Sequence, residues 1–200
     1  MNRREFVSTL SRAVLGTASA GGITMAHART RKASPPAPTW KTGFVYDDIY
    51  LEHVLSADHP ESPDRLRTIT AYMEKTGLMD RVMHSDASVE PESHILAVHN
   101  SAHHESVQSC EPTGMVAAHA VGEILGAVDA VHAGAVRNAF CAVRPPGHHS
   151  FNDGGGYDGY CQGRGFCFYS NVAVAVRYAQ SLGYQRVLVC DWDYHHGNGT

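Results

Sequence analysis

Apolar positions recur along this chain in two rhythms, and the points where they change predict its elements. A short apolar run over Thr42–Tyr46 predicts a first strand. Ser62-Pro63-Asp64 then supplies an N-cap and a first-turn proline, and Leu66, Ile69, Tyr72 and Met73 follow at helical spacing until Gly77. A longer helix is expected from about Met115 to His132, with Val116, Ala120, Val121, Ile124, Val128 and Val131 as its apolar stripe and Gly134 beyond it. Asn138–Val143 predicts a strand halted by Pro145 and Pro146, Ser170–Leu182 a helix ended by Gly183, and Arg186–Asp191 a further strand. Strand, helix and strand at this spacing form a parallel βαβ unit. In open α/β sheets ligands gather outside the carboxyl ends of the strands.

The N-terminus does not belong to that pattern. Asn2-Arg3-Arg4-Glu5-Phe6-Val7, a mildly apolar stretch rich in small residues, and Ala26-His27-Ala28 occur in the order of a twin-arginine export signal with its cleavage site. Arg12 interrupts the stretch, which argues against a membrane-spanning helix. Residues 1–28 are therefore expected to be a signal, 29–41 an extended Pro-rich linker, and 42–200 the folded part of a periplasmic or secreted protein. With 43% hydrophobic and 18% charged residues, 200 positions suffice for one domain and not two. Losing Arg3, Arg4, Glu5 and Arg12 takes the formal charge from −4 to −6, an acidic body with no footprint for nucleic acid. The five cysteines form no Cys-x-x-Cys pair. Cys141 and Cys190 sit in apolar runs and are expected to be buried; free thiols are the expectation for Cys110, Cys161 and Cys167, although export leaves room for an oxidised pair.

Candidate chemistry collects after the two later strands. The last strand runs into Asp191-Trp192-Asp193-Tyr194-His195-His196-Gly197-Asn198-Gly199, and strand alternation places Asp191, Asp193 and His195 on one side. A carboxylate and an imidazole two residues apart can grip one cation. After the earlier strand comes Arg144-Pro145-Pro146-Gly147-His148-His149, and later Gly165-Phe166-Cys167-Phe168. Paired histidines at a strand end suit proton transfer near neutral pH.

In this order the three segments resemble the histone deacetylase family of zinc amidohydrolases, closest to its class II-like branch, where the last motif continues Gly-Asn-Gly as Gly197-Asn198-Gly199 does. The resemblance implies a three-layer α/β/α domain with a parallel sheet, of the arginase/deacetylase type, and zinc as cofactor, with room for potassium as a structural ion. It implies Asp193 and His195 as two of three zinc ligands, His149 as general base and acid, and His148 beside it, with Asp191 and Asn198 as the partners of His148 and His149. Gly165 and Phe166 match the wall that lines the substrate's acyl chain. The family's third ligand, an aspartate, and its oxyanion tyrosine come later than Thr200, so the resemblance covers the N-terminal portion of the domain.

The function so implied is zinc-dependent removal of an acetyl or acyl group from a small amine or an acyl-lysine peptide. The alternative is a catalytically incomplete metal- or ligand-binding remnant of the family. A manganese ureohydrolase is disfavoured, because those sites use denser aspartate clusters and lack Pro-Pro-Gly-His-His. His59-Pro60-Glu61-Ser62-Pro63-Asp64-Arg65 resembles an early family signature and implies that Arg65 faces an internal cavity, against a rival reading as a surface arginine. His103 and His104, with His99 nearby, could suggest a second metal site, but they lie in a polar stretch and are expected to be solvated.

Overall fold

The computed structural model describes residues 41–154, 161 and 163–200. The expected signal, nearly all of the linker and the middle of the loop that follows His149 lie outside the described residues. Three parallel strands form the sheet, β1 (Thr42–Val45), β2 (Val82–His84) and β3 (Asn138–Cys141), in the order β2-β1-β3. Thr42 pairs with Val82 on one side and Asn138 on the other, and Val45 reaches Cys141. Parallel neighbours need long crossovers. The first carries a 3-10 turn (Asp48–Glu52) and helix α1 (Asp64–Lys75); the second carries α2 (Glu92–Leu96), α3 (Ser101–Gln108) and α4 (Thr113–His132). Helix α5 (Asn171–Ser181) follows β3.

Helix α4 organises the core because it is apolar on more than one side. Val116 and Ala120 pack with Phe44, Tyr50, Leu66 and Met73, while Ala117, Val121 and Leu125 pack with Ile95, Val107, Phe168 and Val174. Each large side chain so buried contributes on the order of 1.5–3 kcal/mol. At Gly126 an added Cβ would run into the Ala87 backbone, so a glycine lets the 87–89 strap lie against the helix, where Val89 N–H bonds Gly122 O at 3.1 Å. Among the described residues α4 is the one helix long and apolar enough to cross a membrane. Here that character serves packing on the sheet and α5.

The expected β1, the strand before Pro145, and the helices over 64–75, 113–132 and 171–181 are present within a few residues of their predicted bounds. Gly77, Gly134 and Gly183 end their helices at positive φ, as the left-handed stop requires. Four expectations fail. Tyr72 is 62% exposed, since the Leu66–Met73 face of α1 is narrower than the spacing suggested. Residues 186–191 form no ladder, because among the described residues no strand lies alongside them: a groove of about 670 Å³ separates Val187–Cys190 from Cys141, Val143 and α5. Leu188 and Cys190 are consequently exposed, and Cys141 is only half-buried, against the burial expected of both cysteines. The preference for free thiols is also overturned, since Cys110 and Cys161 form a disulfide with Cα atoms 5.2 Å apart, whereas Cys167 is free and buried.

Candidate active site

The loop after β3 is fixed before it reaches its histidines. Arg144 is buried, and its guanidinium donates to Glu61 Oε1 at 2.6 Å, to Tyr50 O at 2.8 Å and to His53 O at 2.9 Å. Glu61 is equally buried, with His53 Nε2 3.3 Å away. Burial pushes the Glu61 carboxyl up, but the neighbouring His53 imidazole and the Arg144 guanidinium outweigh it and hold the pKa at about 2. The buried arginine of this region is therefore Arg144. Arg65, expected to face a cavity, has a side chain 58% exposed that reaches Glu61 only at 3.5 Å.

Beyond this anchor the two tandem histidines meet the segment after residue 190. His148 Nδ1 lies 2.8 Å from Asp191 Oδ2, and His149 Nδ1 lies 2.7 Å from Asn198 Oδ1. An amide or carboxylate oxygen can only accept, so each Nδ1 carries a hydrogen, which in the neutral ring leaves the lone pair on Nε2. The bond to His148, reinforced by Asp193 N–H, lowers the Asp191 pKa. Asp193 Oδ1 accepts from His195 N–H at 2.7 Å, lies 3.1 Å from His195 Nδ1 and is 3.9 Å from His148 Nε2. These bonds, the backbone one foremost, lower the Asp193 pKa as well. The His149 and His195 ring centres are 6.0 Å apart.

The glycines explain how the segments come this close. A Cβ at Gly165 would overlap the His149 ring, and one at Gly197 would overlap the Asp191 carboxylate and crowd His148. Gly199 N–H bonds His148 O at 2.8 Å. Phe166, at positive φ and 38% exposed, stands edge-on to His59 with ring centres 4.4 Å apart. The early His-Pro segment thus reaches the wall formed by Gly165 and Phe166. All eight candidate residues, His148, His149, Gly165, Phe166, Asp191, Asp193, His195 and Asn198, gather in this one region.

The donor set suits zinc as far as it goes. Bonds of about 2.0–2.1 Å place neighbouring ligand atoms about 3 Å apart, and Asp193 Oδ1 and His195 Nδ1 meet that spacing. Among the described residues no third carboxylate, imidazole or thiolate completes the pair.

Sequence reasoning missed the support behind the site. His99 and His103, expected to be solvated, are buried. His99 Nδ1 bonds Phe151 O at 2.7 Å and its Nε2 accepts from Ser170 N–H, while His103 Nε2 bonds Phe168 O at 2.6 Å. Both ends of the loop between His149 and α5 therefore hang on these imidazoles, and His104 is half-buried against Tyr169. Burial lowers the His99 pKa to about 4 and lowers that of His103. The helical spacing of His99 and His103 was the available signal.

A histone deacetylase domain model matches residues 59–200. The chain is 31% identical over 195 residues to the histone deacetylase-like amidohydrolase of Pseudomonas aeruginosa, covering 81% of this chain and 49% of that protein. It is 34% identical over 182 residues to histone deacetylase 15 of Arabidopsis thaliana, covering 81% and 32%. The polyamine deacetylase HDAC10 of Mus musculus is 32% identical over 79% of this chain and 26% of its own. Among solved structures, the HDA15 HD domain superposes with a TM-score of 0.69 at 32% identity, covering 80% of this chain and 49% of that one. The chain thus spans half or less of the length of these relatives.

Proposed function

We propose, since the chain belongs to the histone deacetylase family, that it supplies the proton-handling half of a zinc-dependent amide-hydrolysing site acting on a small acetylated amine or an acyl-lysine peptide. The observation that carries the reading is the double tie of His148 to Asp191 and His149 to Asn198, set beside Asp193 and His195. Asp193 and His195, with a further ligand, would hold a zinc ion, which would polarise the scissile carbonyl and acidify water. His149 Nε2 takes the proton of the attacking water and returns it to the leaving amine, its tautomer fixed by Asn198. His148, backed by the Asp191 carboxylate, is suited to carry positive charge next to the developing oxyanion. Gly165 leaves room for the His149 ring, and Phe166 offers an apolar wall for an acyl chain. The name of the mouse relative favours small polyamine substrates, and export through Arg3 and Arg4 would keep the protein away from histones.

In the 200-residue chain, zinc should bind weakly at Asp193 and His195, and alanine at either should remove that component of a calorimetric titration. In a version carrying the remaining part of the family domain, His149→Ala should lower turnover of an acetyl-lysine peptide or an N-acetylpolyamine by roughly 10² or more while zinc content holds. Turnover indifferent to that change would sink the reading. Replacing Arg3 and Arg4 by lysine should leave a cytoplasmic precursor; unchanged secretion would refute the export route.

A further inference from the structure

A second cluster of donor atoms, sharing no residue with the site above, joins the start of the first crossover to α4. His119 and Glu123 stand one helical turn apart and face the same way. Asp47, which follows β1, meets them. His119 Nε2 is 3.3 Å from Asp47 Oδ2 and 3.6 Å from Glu123 Oε1, and the three donor atoms lie within 4.8 Å of one another. We propose that Asp47, His119 and Glu123 bind a divalent cation of the zinc or manganese type.

Four observations carry this. His119 Nε2 is buried yet makes no hydrogen bond, although two carboxylate oxygens are near it. That arrangement is poor for a hydrogen bond and good for lone pairs converging on a common point. Second, Glu123 has only 3% of its side chain exposed, and a buried carboxylate needs a counter-charge; among the described residues no lysine or arginine pairs with it. Third, the distances of 3.3 and 3.6 Å from His119 Nε2 approximate the edges of a tetrahedron with bonds of about 2.0–2.2 Å. Fourth, the remaining carboxylate oxygens are already oriented from behind, as ligands of bound metals usually are. Asp47 Oδ1 accepts from Ile49 N–H at 2.9 Å, and Glu123 Oε2 accepts from the Tyr50 hydroxyl.

Two carboxylates and one imidazole, without thiolate, suit zinc or manganese over copper(I) or an iron–sulfur cluster. The position also gives the ion a task. It would clamp the 47–53 turn to α4, and that turn presents the Tyr50 and His53 carbonyls that hold Arg144 at the root of the histidine loop.

The test uses the 200-residue chain with Asp193→Asn and His195→Asn, so that residual binding reports on this cluster. Calorimetric titration with zinc chloride or manganese chloride should show one equivalent retained, and the ion should raise the melting temperature. Glu123→Gln keeps the shape and an oxygen for Tyr50, and should weaken binding at least tenfold; so should Asp47→Asn, whose amide oxygen can still accept from Ile49 N–H. Circular dichroism confirms that each variant is folded. No bound equivalent in the D193N/H195N chain, or unchanged affinity in E123Q and D47N, would overturn the proposal in favour of a protonated His119 bridging two carboxylates. In the parent chain, zinc held at this cluster alone, with no binding lost on changing Asp193 or His195, would instead count only against the deacetylase reading.

Discussion

Glu61→Gln removes one charge and almost no volume, so its cost isolates what the buried carboxylate does for Arg144. In the folded chain Glu61 titrates at about 2, against an ordinary value of 4.5. At about 1.4 kcal/mol per pKa unit that difference is on the order of 3 kcal/mol. Removing one partner of a buried ion pair costs a similar amount, about 3–5 kcal/mol, because the other charge stays buried and uncompensated. A depressed carboxylate stabilises the fold above its unfolded pKa and loses that contribution as pH falls through the folded one. The gap between parent and variant should therefore be full at pH 7, shrink from about pH 4.5 and vanish near pH 2. Urea denaturation at a series of pH values reads it directly; with a slope of about 1–3 kcal/mol/M the midpoint should fall by roughly 1–3 M at neutral pH. Arg65→Gln, which removes the exposed partner of the same Glu61, should cost under about 1 kcal/mol and serves as the control. A gap below about 1 kcal/mol at pH 7, or one unchanged at pH 2, would refute the assignment of Arg144 and Glu61 as the anchor of the histidine loop.

Other outcomes follow from the same geometry. His99 is held neutral with its pKa lowered to about 4, so its contribution is complete above about pH 6.5 and lost as pH falls to 4; in His99→Gln that part of the parent's acid destabilisation should disappear from a stability–pH profile. Reducing the Cys110–Cys161 bridge should lower unfolding free energy by about 2–4 kcal/mol, checked by denaturation with and without reductant and by mass spectrometry of the linked peptides. Gly165→Ala, at φ +51° against the His149 ring, should displace that ring from Asn198, seen as a changed tautomer signature in imidazole nitrogen NMR; an unchanged spectrum would mean that the wall and the histidine are not in contact.

The strongest elements were legible because their signals are local. Apolar spacing with a terminal glycine places α1, α4 and α5 without reference to the rest of the chain, and the tandem histidines after two prolines announce a loop at a strand end. The short polar helices α2 and α3, Glu92-Ser93-His94-Ile95-Leu96 and Ser101–Gln108, carry too few apolar positions to show a stripe, and three-residue β2 is too short for alternation. Residues 187–190 read as a buried strand from composition, but a ladder is a property of two segments, and composition cannot report whether a neighbour lies alongside. Arg144, His99 and His103 were misjudged or passed over for a related reason. Polar side chains read as solvent-facing in one dimension, and only the fold reveals the carbonyls and carboxylate that satisfy them in the interior.

Taken by itself, the 200-residue chain leaves an apolar stretch before Asp191 open to solvent. Val187-Leu188-Val189-Cys190 is uncharged, β-branched at two positions and free of proline, with Leu188 92% and Trp192 90% exposed. Unpaired backbone beside exposed apolar side chains is a template for another strand. In the 200-residue chain by itself, aggregation should therefore start here, and should rise steeply with concentration. A lysine in place of Leu188 would act as a gatekeeper charge, slowing fibril or precipitate formation, and the emission of Trp192 would shift to the blue as intermolecular strands cover it.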